Sequence, residues 1–459
     1  TQGVNMLGAV LALSLAALPS PDAPLEDGTP PDWMLEVESW DAPPDPDPQA
    51  RDGKRDIEED VRASSRPASE QRESLSGSLR VVGGYLRFPD EPAFFPERND
   101  GFLATEARII ASGELSSRVD TELNVFVDLT RSPGSVLAGT FATAGSFATP
   151  YRGRAMSFVA GEGTPVRFQM GLDRARVGWR GNRVTFDLGR FPVNHSVAQI
   201  FTPNDFFAPF AATAVNTIFK PGVDAARLGV GLGKRSSLEV VSVLGWDDGW
   251  TPSWGNSAIL VRPSVVLWNF EWAALGGKVA ERWVAGASFQ GDAGPVGLRG
   301  EGHVGFPDRA GDGLDDDRDI HVRLSAGPNL NFSWQGARIA AEYAFFSDGA
   351  GDAGSYVARF GRRFPDDLPY LGRHYVAVMA GLETMPILRL DAIGLVNAGD
   401  GSGMAGLFAS YSLSDEADLL VGGFVPWGRR PTSGGSTPIL RSEFGLQPTT
   451  LFLETRVFF

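Results

Sequence analysis

Leu451-Phe452-Leu453-Glu454-Thr455-Arg456-Val457-Phe458-Phe459 is the stretch that decides the fold. With period two, Leu451, Leu453, Thr455, Val457 and Phe459 fall on one face. Phe452, Glu454, Arg456 and Phe458 fall on the other. An apolar row opposite a charged pair is the alternation of a strand with one greasy and one wet face. The pattern recurs along the chain. Val119, Thr121, Leu123, Val125, Val127 and Leu129 oppose Arg118, Asp120, Glu122, Asn124 and Asp128. Arg299, Glu301 and His303 oppose Leu298, Gly300, Gly302 and Val304. Asp319, His321 and Arg323 oppose Ile320, Val322 and Leu324, and Arg338 and Glu342 oppose Ile339, Ala341 and Tyr343. Both charge signs on the polar rows point to a hydrated interior.

The links between these runs alternate in length. Glu114–Ser117, Gly181–Asn182, Gly233–Ser236 and Gly291–Gly294 are short; Ser132–Thr164, Pro192–Pro221, Pro307–Asp317, Asp348–Tyr370 and Trp427–Leu446 are long. Short turns at one end and long loops at the other are the pattern of a transmembrane β-barrel. Under that constraint the sequence predicts strands at 76–88, 101–113, 118–130, 166–180, 183–191, 222–233, 236–246, 257–268, 270–277, 282–290, 295–306, 319–329, 336–347, 371–383, 386–397, 403–413, 416–426 and 448–459. These are 18 strands; merging the pair around Asn269 and losing another would leave 16. Trp179, Trp246, Trp268, Trp283 and Trp427 fall near strand ends, as in an interfacial aromatic belt.

A closing strand that stops on an aromatic residue resembles the last strand of Gram-negative outer-membrane β-barrels. That resemblance implies an all-β, antiparallel transmembrane barrel with short periplasmic turns and long extracellular loops. It implies that Phe459 and Val457 belong to the signal read by the barrel-assembly machinery. It further implies outer-membrane lipid and lipopolysaccharide as surroundings.

Composition agrees. The 459 residues include no cysteine, which excludes disulfides and thiolate metal sites. Mean hydropathy is -0.10 and no apolar run is long enough for a spanning helix, as expected where strands supply only alternate apolar residues. Leu7 to Leu18, followed by Pro19-Ser20-Pro21, reads as the hydrophobic core of a signal peptide over 1–21, although Thr1 to Met6 carries no basic side chain. Residues 22–75 are acidic and Pro-rich and read as a disordered periplasmic extension. Residues 1–75 hold 16 acidic and 6 basic side chains, so of the formal net charge of -15 only -5 falls on the barrel, 76–459. The absence of a basic stripe, with pI ≈ 4.8, excludes nucleic-acid binding.

The distinctive segment is Gly189 to Arg227, GRFPVNHSVAQIFTPNDFFAPFAATAVNTIFKPGVDAAR. It contains the third long-side loop, 192–221. Thr202-Pro203-Asn204-Asp205 reads as a helix start, and Phe206, Phe207, Phe210, Ile218 and Phe219 read as anchors against the inner wall. The segment resembles a run found in outer-membrane porin-like proteins. That resemblance implies a loop folded into the barrel to narrow it. Expected constriction residues are Arg190, Asn194, His195, Asp205, Lys220 and Asp224. Expected pore-lining residues are Arg118, Asp120, Glu122, Arg227, Arg299, Glu301, His303, His321 and Arg323. Opposed acidic and basic rows would set a field across a narrow lumen.

The acidic run Pro307 to Asp319 lacks the spacing of a calcium loop and reads as solvated, so no metal and no cofactor are expected. No histidine sits in a catalytic motif, and His303 and His321 near Ser325, Asp319 and Glu301 form at most a lumenal cluster. The sequence therefore predicts a non-enzymatic channel for passive diffusion of small hydrophilic solutes or ions, as a possible homotrimer. A closed structural or adhesive barrel is the alternative, and an outer-membrane lipid hydrolase the second.

Overall fold

The protein is described by a computed structural model covering residues 74–459, apart from 93, 94, 96, 133–149, 210–218, 248, 249, 308–318, 362–368, 435 and 436. The signal-like run, the acidic extension and most of the acidic 307–319 loop lie outside the described residues.

The chain forms β1 (Ser74–Arg87), β2 (Asn99–Ser116), β3 (Val119–Arg131), β4 (Ser157–Ala160), β5 (Val166–Arg180), β6 (Val184–Phe191), β7 (Val223–Gly231), β8 (Ser236–Val243), β9 (Ala258–Leu267) and β10 (Phe270–Val279). It continues with β11 (Arg282–Ala293), β12 (Val296–Pro307), β13 (His321–Asn331), β14 (Arg338–Phe346), β15 (His374–Met385), β16 (Leu388–Asn397), β17 (Gly403–Ser414), β18 (Ala417–Trp427), β19 (Thr432–Gly434), β20 (Thr437–Ile439) and β21 (Thr449–Phe458). β4 adds to β5 alone, and β19–β20 is a separate hairpin. The other eighteen each pair antiparallel with their neighbours, and β21 closes on β1 from Ser78↔Phe458 to Arg87↔Thr449. Closure pairs each of the eighteen strands on both sides, which removes the open edge that a hydrocarbon surrounding would not tolerate.

The eighteen strands agree with the alternation to within a few residues. β1 starts at Ser74, just inside the stretch expected to be extension. In β21, Leu451 and Leu453 are 57% and 50% exposed while Phe452 and Glu454 are 5% and 0% exposed. The greasy row therefore faces outward and the wet row inward. Arg80 of β1 forks onto Glu454 at 2.7 and 2.9 Å, and Arg456 reaches the same carboxylate at 2.5 Å. This inward pairing spans the closing seam.

Turns explain the register. Trp268 and Asn269 take φ of 53° and 65°, the conformation of a two-residue hairpin turn matched to strand twist. They separate β9 from β10, so the pair around Asn269 is two strands and the count is eighteen. Trp179, Trp268, Trp283 and Trp427 are exposed on the outer face or at its rim. Trp246 is not part of that belt. Its indole N–H donates to Asp224 at 3.1 Å, because β8 ends at Val243 and the chain turns inward there.

Candidate functional site

The site is the segment that joins β6 to β7 and the wall it meets. Two residues before the end of β6, Gly189 takes φ 125°, where a Cβ would lie 2.0 Å from the Ala175 carbonyl oxygen, so only glycine fits. The next residue, Arg190, forks onto Asp224 at 2.7 and 3.0 Å and also donates to the carbonyls of Leu172 and Gly153. Asp224 further accepts from the Gly153 amide at 2.6 Å. This pair pins the neck of the segment.

Beyond the neck the chain runs to strands far from β6 in the barrel. Glu301 of β12 accepts from Ser196 Oγ, from the Ala198 and Asn204 amides at 3.0 Å, and from the Val197 amide. Glu342 of β14 accepts from the amides of Gln199, Ile200 and Phe201 at 2.6, 2.9 and 3.0 Å. Two wall carboxylates thus fill two concavities of consecutive N–H groups. Charged acceptors make such bonds about twice as strong as neutral ones. Phe201 sits among Phe346, Tyr370 and Tyr375, with ring centroids 6.5, 5.2 and 5.8 Å away. Phe206 lies 5.0 Å from the His303 ring, and Phe207 meets Tyr151 edge-on at 5.0 Å. Phe206, Phe207 and Phe219 are buried, as expected of wall anchors; Phe210 and Ile218 lie outside the described residues.

Thr202–Asp205 is a turn closed by the Asp205 amide on the Thr202 carbonyl at 3.0 Å. The expected helix start is not formed there. The Asn204 amide, which a helix cap would have taken, goes to Glu301.

The other expected constriction residues are also brought into pairs. Asp205 meets Lys220 at 2.5 Å, clamping the two ends of 206–219. His195 meets Glu239 at 3.0 Å, and Arg227 reaches Glu239 at 3.6 Å and the Pro192 carbonyl at 3.1 Å. Asn194 is exposed and accepts from the Ser196 amide at 3.0 Å.

Of the expected lining residues, Arg118 is misplaced: it lies in the β2–β3 turn, exposed, one residue short of the strand whose alternation assigned it inward. Asp120 and Glu122 face inward and interleave with Arg174, Arg176, Arg180 and Asp187. Glu122 meets Arg174 at 3.0 Å, Asp187 meets Arg176 and Arg180 at 2.7 Å, and Asp120 pairs with Arg176. Acid and base therefore alternate on adjacent strands instead of forming facing rows, and each neutralises its neighbour. Arg299 donates to the Val197 carbonyl at 3.4 Å, and His303 Nδ1 lies 3.2 Å from Asn204 Oδ1. His321, at the start of β13, lies 3.2 Å from Arg282.

Arg323 holds Asp348 of the following loop at 2.6 Å with Arg359 at 3.3 Å. Burial works against the Asp348 charge, but these two guanidinium groups outweigh it and hold its carboxyl down to about 2.

His303 and His321 do meet, with ring centroids 6.1 Å apart. Ser325 Oγ bonds to neither, and Glu301 is occupied by loop amides, so no nucleophile, base and orienter are aligned there. No cluster of metal-ligating side chains occurs among the described residues. Glu342, Glu239, Ser196 and Tyr375 were not singled out from sequence. Alternation placed Glu342 inward, but nothing local marks a partner 141 to 143 residues away.

A closed barrel of eighteen antiparallel strands, greasy outside and charged inside, with a long connection bonded to its inner wall, is the architecture of an outer-membrane porin. No family model and no curated protein sequence matches the chain. Solved structures do. It is similar to OccK2 (OpdF) of Pseudomonas aeruginosa in complex with glucuronate, at 8% identity and TM-score 0.53 over 84% of this chain and 97% of that one. It is similar to OpdK of the same organism with vanillate, at 8% identity and TM-score 0.51 over 84% and 98%. It is also similar to OccAB4 of Acinetobacter baumannii, at 8% identity and TM-score 0.50 over 86% and 100%. The fold is that of these barrels.

Proposed function

We propose that the protein is an outer-membrane channel through which small hydrophilic solutes diffuse, with the aperture set by the segment 192–221. The observation that carries this reading is the double capture of its backbone by Glu301 and Glu342. A connection that merely capped the mouth would have no reason to place six consecutive or near-consecutive amides on carboxylates of the inward rows of β12 and β14. The ligands named with two of the similar structures, glucuronate and vanillate, are small polar molecules and agree with a diffusive pathway. Nothing in the lumenal cluster is arranged for bond breaking, and we assign no reaction to it. The outward apolar rows suit outer-membrane lipid. Phe459, whose amide donates to the Gly77 carbonyl at 3.0 Å, suits the assembly-signal role.

The test is conductance. Releasing the segment by Glu301→Ala with Glu342→Ala should enlarge the single-channel step several-fold. An unchanged step from a folded double variant would show that the segment does not set the aperture.

A further inference from the structure

Glu443 lies in the loop between β18 and β21, far in sequence from the aperture segment, and it is buried. Its carboxylate accepts from Tyr375 Oη at 2.5 Å, Asn397 Nδ2 at 2.7 Å and the Leu371 amide at 2.9 Å. Its own amide donates to Asp400 Oδ2 at 2.8 Å. Asp400 Oδ2 also accepts from Tyr356 Oη at 2.8 Å, and Asn397 Nδ2 reaches that phenol at 3.0 Å. One residue thus ties Leu371, Tyr375 and Asn397 through its side chain and Asp400 through its amide into a single knot. The knot also forms the roof over Phe201. Tyr375, which holds Glu443, is one wall of the aromatic box, and Tyr370, beside Leu371, is another.

We propose that Glu443 is a positioning residue for the aperture: it latches the long loops over the Phe201 box, and the latch tightens on taking up a proton. This rests on the channel reading above. The titratable side chains that face Glu443 are Tyr375 from β15, Tyr356 from the short helix Tyr356–Gly361, and Asp400 from the β16–β17 loop. None is cationic, and no ion pair joins Glu443 to Arg or Lys among the described residues. A buried carboxylate beside a second carboxylate is more stable neutral than charged.

Burial, opposed by the three donors and reinforced by Asp400, pushes the Glu443 carboxyl up to about 7. A carboxyl whose pKa is raised in the latched arrangement binds its proton more tightly there than when released. Latching therefore gains as pH falls from about 7 toward the ordinary value of 4.5, and loses as pH rises through 7. When the latch opens, Glu443 meets water, and Tyr370, carried by the loop before β15, no longer holds Phe201 against Tyr375.

The experiment is single-channel recording of the full-length protein between pH 5.5 and 8.5. It reads the open level and the rate of excursions away from it. Excursions should be rare below pH 6 and rise above the midpoint by up to about tenfold per pH unit, the limit for one proton. Glu443→Gln keeps the shape without the charge and should show rare excursions at every pH. It leaves every other titratable group in place, so a midpoint surviving in this variant would belong to one of them and overturn the proposal. Asp400→Asn removes the neighbouring charge and should move the wild-type midpoint to lower pH; an unmoved midpoint would also overturn it. A stable open level with no pH dependence in the wild type defeats the latch alone. Absence of any open level defeats the channel reading beneath it.

Discussion

At the residue scale, the decisive feature is a carboxyl that, among the described residues, is held by backbone amides and by no cation. Glu301 and Glu342 each accept from backbone N–H groups, and peptide dipoles stand where a cation would otherwise sit. Removing either strands several buried donors, and each stranded donor costs about 1–3 kcal/mol. Glu301→Gln retains one acceptor oxygen and should weaken the attachment less than Glu301→Ala. Ordering of the conductance steps as wild type, Gln, Ala checks this, and equal steps for Gln and Ala would count against it. Asp348 behaves in the opposite way to Glu443. Its carboxyl is depressed, so the bond to Arg323 is fully present above the ordinary value of 3.8 and is lost only as pH falls through about 2. Mild acid should therefore leave the loop 347–373 attached at Arg323, while Asp348→Asn should loosen it at neutral pH. Protease cleavage of that loop at pH 4 and pH 7 distinguishes the two.

At the element scale, the closing seam carries an alternation of its own. Phe408 of β17, Gly422 of β18, Phe452 of β21, Gly84 of β1 and Phe102 of β2 are successive cross-strand partners on the inner face. Each glycine leaves room for a neighbouring ring. A Cβ at Gly84 would lie 2.2 Å from the Phe102 ring and 2.7 Å from the Leu451 carbonyl oxygen. Gly84→Ala should therefore destabilise the barrel by about 1–3 kcal/mol, as overpacking does. A lowered denaturation midpoint in detergent checks it, and an unchanged midpoint would mean the seam yields. The strands were legible in sequence because alternation is local: Leu451 to Phe459 needs no distant partner to show which face is wet. What alternation cannot show is where a strand stops. Arg118 has the parity of Asp120 but falls in the turn, and Trp246 follows a strand that has already ended. The site was legible in part. Gly189 to Arg227 announced itself by length and phenylalanines, and Glu301 by alternation. Alternation also turned Glu342 inward, but the partners of Glu301, Glu342 and Glu443 lie far off in the chain and left no local mark. Thr202-Pro203-Asn204-Asp205 misled because a long-range carboxylate took the amide that a local helix would have used.

At the scale of the whole molecule, charge is balanced by interleaving. Arg174, Arg176 and Arg180 are matched against Asp120, Glu122 and Asp187 on three adjacent strands, and the barrel portion is only slightly acidic. Such a lumen gives weak preference between small anions and cations, so the reversal potential in a salt gradient should lie near zero. A strongly displaced value would count against this balance. Capture by Glu301 and Glu342 commits the segment to the β12–β14 side, and the interleaved charges line β3 to β6. The central claim is that this segment, held by two carboxylates, makes a narrow but open channel. Its most direct test compares single-channel conductance of the full-length protein with that of the Glu301→Ala, Glu342→Ala variant in the same planar bilayer. Discrete steps that grow several-fold in the variant are predicted; a folded wild type without steps, or equal steps in both, would contradict it.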